Sequence, residues 1–130
     1  MSERNGRRSL LIVEDDPAQL AEYAQKLREL GYKVFSATSA EEGIGFIQSQ
    51  AAAVDVILTD NILPSMTGLR SIAEFAKCSR APVFIMTSHP NSESEEDALL
   101  LGARAYLKKP LVFAQLHEDL QAAIASANKV

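Results

Sequence analysis

Apolar and polar positions divide the chain into short greasy runs that each close on polar residues. Leu10-Leu11-Ile12-Val13 ends in Glu14-Asp15-Asp16, the run from Val54 to Thr59 ends in Asp60-Asn61, and Pro82 to Met86 ends in Thr87-Ser88. Ala105-Tyr106-Leu107-Lys108 ends in Lys109-Pro110. Residues 9–13 and 54–59 are nearly continuous and do not alternate, the pattern of strands in a parallel sheet covered by helices on both faces. Segments 33–37, 82–87 and 104–108 complete a predicted set of five strands.

Between the runs the apolar spacing changes to three and four residues, which predicts helices. From Pro17 onward Leu20, Tyr23, Ala24, Leu27 and Leu30 recur at that interval, with Pro17 suited to a first turn and Gly31 to a stop. Ser39-Ala40-Glu41-Glu42 reads as the capped start of a second helix. A third follows Gly68 through Leu69, Ile72, Phe75 and Ala76, and Ser79-Arg80-Ala81-Pro82 breaks it. Asn91-Ser92-Glu93 caps a fourth that carries Ala98, Leu99 and Leu101 and stops at Gly102. The acids Glu93, Glu95, Glu96 and Asp97 weaken its first half as a packed element. The last helix aligns Phe113, Leu116, Leu120 and Ile124. Strands alternating with helices predict an α/β fold, an open doubly wound five-stranded parallel sheet with right-handed crossovers. Such sheets bind ligands beyond the carboxyl ends of their strands, where the acids, hydroxyls and lysines fall here.

Composition changes this picture little. The chain has 130 residues, 47% hydrophobic and 23% charged, enough for one domain that needs no disulfide or structural metal. Residues 9–127 are expected to form it, with 1–8 and 128–130 as tails. Arg4, Arg7 and Arg8 make the first tail basic, and solvation accounts for them. A net charge of -4 argues against nonspecific nucleic-acid binding. The single cysteine, Cys78, lacks zinc-site neighbours and fits a reducing compartment, so the expected location is the cytoplasm, and neither a signal peptide nor a membrane span is visible.

Chemistry narrows the field. Glu14, Asp15 and Asp60 offer hard oxygen ligands suited to Mg2+. Thr87 and Lys109 add a hydroxyl donor and a positive charge suited to phosphoryl oxygens. A carboxylate beside such a cation can attack phosphorus without a general base, since it is already ionised. Each feature alone has a plainer reading: a turn aspartate, loop hydroxyls, a helix cap at Asp16, a Lys-Pro loop signal. His89 and His117 read as solvent-facing, Cys78 as a packing residue, Tyr106 as a packed aromatic with its hydroxyl at the surface, and Gly68 as a bend with positive φ. Ordinary amphipathic packing explains most of Leu99, Leu100 and Leu101.

Taken jointly, the acidic pair after the first strand, Asp60 after the third, Thr87 after the fourth and Lys109-Pro110 after the fifth resemble the receiver domain of two-component response regulators. The resemblance covers roughly residues 9 to 125 and implies a flavodoxin-like fold with strand order 2-1-3-4-5. It implies Glu14 and Asp15 as metal-binding acids, Asp60 as phosphoacceptor and metal ligand, and Ile62 as a ligand through its main-chain carbonyl. Asp16 is then a bystander, Thr87 bonds the phosphoryl group, Lys109 pairs with it, and Pro110 follows a cis peptide bond. Tyr106 becomes an aromatic switch that changes the surface of the fourth helix, fifth strand and fifth helix.

The implied partners are a histidine kinase or phosphotransfer protein and a downstream protein or output domain. Dimerisation on phosphorylation is left open, as is whether the receiver stands alone. The implied chemistry is limited to the protein's own phosphorylation and dephosphorylation, so it is not expected to be an enzyme. Thr67, Ser88 and Leu111 depart from the family's frequent Asp, Ala and Phe. Ile62 and His89 stand two residues past Asp60 and Thr87 and are expected to modulate loss of the phosphoryl group. The competing readings are a Mg2+-dependent phosphohydrolase, which lacks its usual acid where Ile62 stands, a flavodoxin-like cofactor binder, whose phosphate Glu14-Asp15-Asp16 would repel, and a receiver fold without phosphorylation.

Overall fold

A computed structural model of the chain describes residues 8–49, 54–63 and 66–127. The expected tails fall outside these residues, apart from Arg8. Ten elements alternate: β1 (Ser9–Val13), α1 (Pro17–Glu29), β2 (Lys33–Ala37), α2 (Ala40–Ser49), β3 (Val56–Asp60), α3 (Gly68–Cys78), β4 (Val83–Thr87), α4 (Ser92–Leu100), β5 (Ala105–Lys108) and α5 (Phe113–Ala127). The strands form one parallel sheet in the order β2-β1-β3-β4-β5. The doubly wound prediction therefore holds.

Every residue of β1, β3 and β4 is buried, which is why those segments are continuously apolar. Leu10, Ile12, Leu58, Phe84 and Met86 pack with Tyr23, Leu27, Leu116, Leu120 and Ile124 of α1 and α5. Leu11, Val13, Ile57 and Ile85 turn to the other face, against Ile47, Ile72, Phe75 and Ala98 of α2, α3 and α4. Alternation along each strand thus separates two cores without breaking the apolar run.

Three strands begin later than expected. Asp55 is not part of β3: its carboxylate accepts from the Ser9 N–H at 2.8 Å, so it fastens the strand's entry to β1. Pro82 and Arg104 likewise precede β4 and β5.

Local chemistry sets the helix ends. Asp16 caps α1 by accepting from the Ala18 N–H, Pro17 follows at the first position, and Gly31 turns the chain with φ 103°. Ser39 accepts from the Glu42 N–H while Glu42 reaches back to the N–H and hydroxyl of Thr38, one residue earlier than a standard capping box. Asn91 caps α4, whose one buried residue is Ala98.

Gly68 corrects an expectation, because it is helical and not a positive-φ bend. A Cβ there would lie 2.8 Å from the Asn61 Cα and 2.9 Å from its carbonyl oxygen. The close approach lets the Gly68 N–H donate to Asn61 O at 2.7 Å and closes the loop after β3.

Candidate acidic phosphoacceptor site

The three inner strands deliver their last polar residues to one end of the sheet. Glu14 follows β1 directly and is 2% exposed, its main chain tied to β2 by a hydrogen bond from its N–H to Ala37 O. Asp60 ends β3 and is 8% exposed, whereas Asp15 lies in solvent. One carboxylate oxygen from each of the three can be chosen so that all lie within 4.8 Å of one another. This is a hard-oxygen set of the size and charge that a divalent cation takes.

Lys109 enters from the far side. Its Nζ donates to Glu14 Oε1 at 2.8 Å, lies 3.5 Å from Asp60 Oδ2, and donates also to Gln19 Oε1 of α1. The Lys109–Pro110 peptide bond is cis, as the resemblance implied, and the Lys109 N–H donates to Thr87 O at 2.7 Å. Three carboxylates thus face one ammonium, leaving two negative charges for a divalent cation to balance.

The electrostatics carry the same imprint. Burial, then the neighbouring Glu14 charge, raises the Asp60 carboxyl above its ordinary value; Lys109 and a hydrogen bond from the Ile62 backbone pull the other way but do not win. Burial also works against the Lys109 ammonium, yet its bond to Glu14 and the charges of Asp60 and Glu14 outweigh burial and raise its pKa.

Thr87 ends β4, 1% exposed, and its Oγ accepts from the His89 N–H at 3.0 Å. Its hydroxyl proton remains available to a group arriving at Asp60. His89 is exposed and its Nδ1 meets the Ser88 hydroxyl at 3.2 Å; Ile62 is 62% exposed. Tyr106 pairs with Ile85 in the register of β5 on β4, so its ring joins the α2–α4 face of the sheet, the face that Thr87 also addresses two residues on. Its hydroxyl is buried, without a hydrogen-bond partner among the described residues, and not at the surface as expected.

Two further expectations are corrected. His117 does not simply face solvent: its Nδ1 lies 3.0 Å from the Tyr32 hydroxyl. Leu99, Leu100 and Leu101 are 45%, 80% and 48% exposed, so core packing does not account for them. Sequence reasoning missed Gln19. A glutamine two places past Pro17 carries no signal of its own, and only the fold lays it against Lys109.

Residues 10–121 match the family described as the response regulator receiver domain. The chain belongs to that family. Among curated relatives, the transcriptional regulatory protein ZraR of Salmonella typhimurium is 32% identical over 92% of this chain, and Protein PilH of Pseudomonas aeruginosa 28% identical over 89%. The chain spans 27% of the length of ZraR and 97% of PilH. Among solved structures, a CheY-like receiver domain protein from Methanospirillum hungatei JF-1 superposes with TM-score 0.86 at 28% identity, covering 95% of this chain and 98% of that one. The receiver domain of a sensor histidine kinase from Pseudomonas aeruginosa PAO1, with a magnesium ion in its active site cleft, gives 0.81 at 28%, covering 92% and 99%. This receiver therefore carries the acidic cluster of a two-component response regulator, and the donor set fits Mg2+. Among the described residues no helix is long and apolar enough to cross a membrane.

Proposed function

We propose that Asp60 accepts a phosphoryl group from a histidine kinase or phosphotransfer protein in the cytoplasm, and that the modified receiver then signals through binding. One observation carries this reading: a buried carboxylate lies close to two other acids and a lysine, at the sheet end where β4 also closes on Thr87. An Asp60 oxygen attacks phosphorus, the P–N bond of the donor phosphohistidine breaks, and the departing imidazole keeps the electron pair and takes a proton from water. Glu14, Asp15, Asp60 and the Ile62 carbonyl would hold Mg2+, which would supply positive charge to the phosphoryl oxygens. Lys109 pairs with one phosphoryl oxygen and Thr87 donates its hydroxyl to another.

The output follows from the orphaned Tyr106 hydroxyl. Movement of Thr87 toward the phosphoryl group changes what Tyr106 packs against, and the α4–β5–α5 surface, with exposed Leu99, Leu100 and Leu101, presents the change to a downstream protein or output domain. The chemistry is stoichiometric self-modification, not turnover of an external substrate. Apolar Ile62 beside the site slows attack by water, with His89 as modulator.

Incubation with Mg2+ and a small acyl phosphate, followed by intact mass, tests the reading. Wild type gains one phosphoryl group, Asp60→Asn gains none, and Ile62→Asn gains one and loses it sooner. Donor turnover with no lasting adduct overturns the receiver reading in favour of a phosphohydrolase, and an Ile62→Asn adduct as long-lived as that of wild type removes the role of Ile62.

A further inference from the structure

Gln19, Tyr23 and Lys26 stand one turn apart along α1 and meet the two ends of the connection from β5 into α5. Gln19 Oε1 accepts from Lys109 Nζ, and the Tyr23 ring meets Phe113 edge-on at 5.5 Å. Lys26 Nζ sits 5.8 Å over the same Phe113 ring. The helix is therefore fastened along this connection, and Gln19 is the fastening that reaches the site.

An ammonium has three hydrogens to give. Lys109 gives one to Glu14 at 2.8 Å and one to Gln19, while Asp60 Oδ2 stays at 3.5 Å, beyond the usual length of such a bond. Placed between two carboxylates alone, an ammonium would close on both. The neutral amide on the α1 side holds it away from Asp60. Because an ammonium only donates, the amide must present its oxygen, so the orientation of Gln19 is fixed by its partner.

We propose that Gln19 is a positioning residue that draws Lys109 off Asp60, leaving the phosphoacceptor oxygen free to attack while the ammonium waits within reach of the phosphoryl group. This rests on the receiver reading and deepens it. Gln19 is not among the acids that would hold Mg2+, so its grip persists when the cation takes a share of Glu14. Without it, Lys109 closes on Asp60 and covers the nucleophile with a tight ion pair.

Two variants test the idea in the full chain. Gln19→Met keeps length and bulk but removes the acceptor; Gln19→Glu keeps an oxygen at the same reach. With Mg2+ and a small acyl phosphate, initial phosphorylation by intact mass is expected to fall about threefold to tenfold in Gln19→Met and to recover in Gln19→Glu to within about twofold of wild type. The 15N resonance of the Lys109 ammonium, followed before any donor is added, should move in Gln19→Met and stay near its wild-type position in Gln19→Glu. A Gln19→Met protein with wild-type rate or an unmoved Lys109 resonance overturns the proposal, as does an equal loss of rate in both variants, since the acceptor would then be irrelevant. A wild type that takes no phosphoryl group overturns the receiver reading instead, whatever Gln19 does.

Discussion

Two tyrosine hydroxyls lie in the interior, one beside the amino end of β2 and the other midway along β5. Tyr32, 1% exposed, accepts from Gln121 Nε2 at 3.1 Å and shares a second hydrogen bond with His117 Nδ1 at 3.0 Å; the two rings meet edge-on at 5.5 Å. Tyr106 has none of this, because its hydroxyl is out of contact with solvent and lacks a partner among the described residues. The unpaired group belongs to the face of the sheet addressed by Thr87, and the surplus acids lie at that strand end too. The contrast teaches where this fold is finished and where it is left unfinished. A buried polar group without a partner costs about 1–3 kcal/mol, so a fold keeps one only where the neighbourhood is stable enough to bear it.

The largest effect should come from the unfinished end. Lys109 is the ammonium between Glu14 and Asp60, and removing it strands buried acids without their counter-charge. Lys109→Met is expected to lose about 3 kcal/mol in urea denaturation at neutral pH without metal, and to recover part of the loss when Mg2+ is added. Because the folded state raises the Lys109 pKa, this contribution is present below the unfolded value, near 10.5, and is lost as pH rises through the folded one. The gap between wild type and variant should therefore close in strongly alkaline solution. A variant as stable as wild type at neutral pH would show that the acids are as well satisfied as Tyr32, and the contrast would vanish.

The finished region should respond less. Tyr32→Phe removes a hydroxyl that serves two neighbours, but His117 is only half-buried and Gln121 is exposed, so both can turn to water. A loss of about 1 kcal/mol is expected in the same urea titration. Burial raises the Tyr32 pKa, offset only partly by the bond from Gln121, so ionising it costs stability as pH climbs past its ordinary value of 10.0. The phenylalanine variant should lack that alkaline loss.

What could be read from the sequence divides along the same line. Glu14, Asp60 and Thr87 were legible because each ends an apolar run, and strand periodicity plus sheet topology places such ends together. The inner strands β1, β3 and β4 were legible because full burial leaves no alternation to misread. Gln19, His117 and the Tyr106 hydroxyl were not legible, because each depends on how a helix or strand lies on elements far along the chain. Tyr32 and His117 are 85 residues apart, and Lys109 and Gln19 are 90 apart. Gly68 was misread for a related reason: its need is set by the approach of Asn61 and not by its own backbone angle.

Tyr106→Phe should give the smallest effect and the sharpest test of the comparison. The substitution takes away only a hydroxyl that nothing in the described structure bonds, so no neighbour loses a partner and the desolvation cost of the hydroxyl disappears with it. The ring keeps its place opposite Ile85, so packing on the α2–α4 face is preserved. Stability in urea is therefore expected within about 0.5 kcal/mol of wild type, or above it, against the loss expected for Tyr32→Phe. The same atom deleted from two tyrosines would then give different costs, set only by what each hydroxyl touches. If Tyr106→Phe instead costs as much as Tyr32→Phe, the Tyr106 hydroxyl is satisfied in the resting protein, and the contrast with Tyr32 disappears.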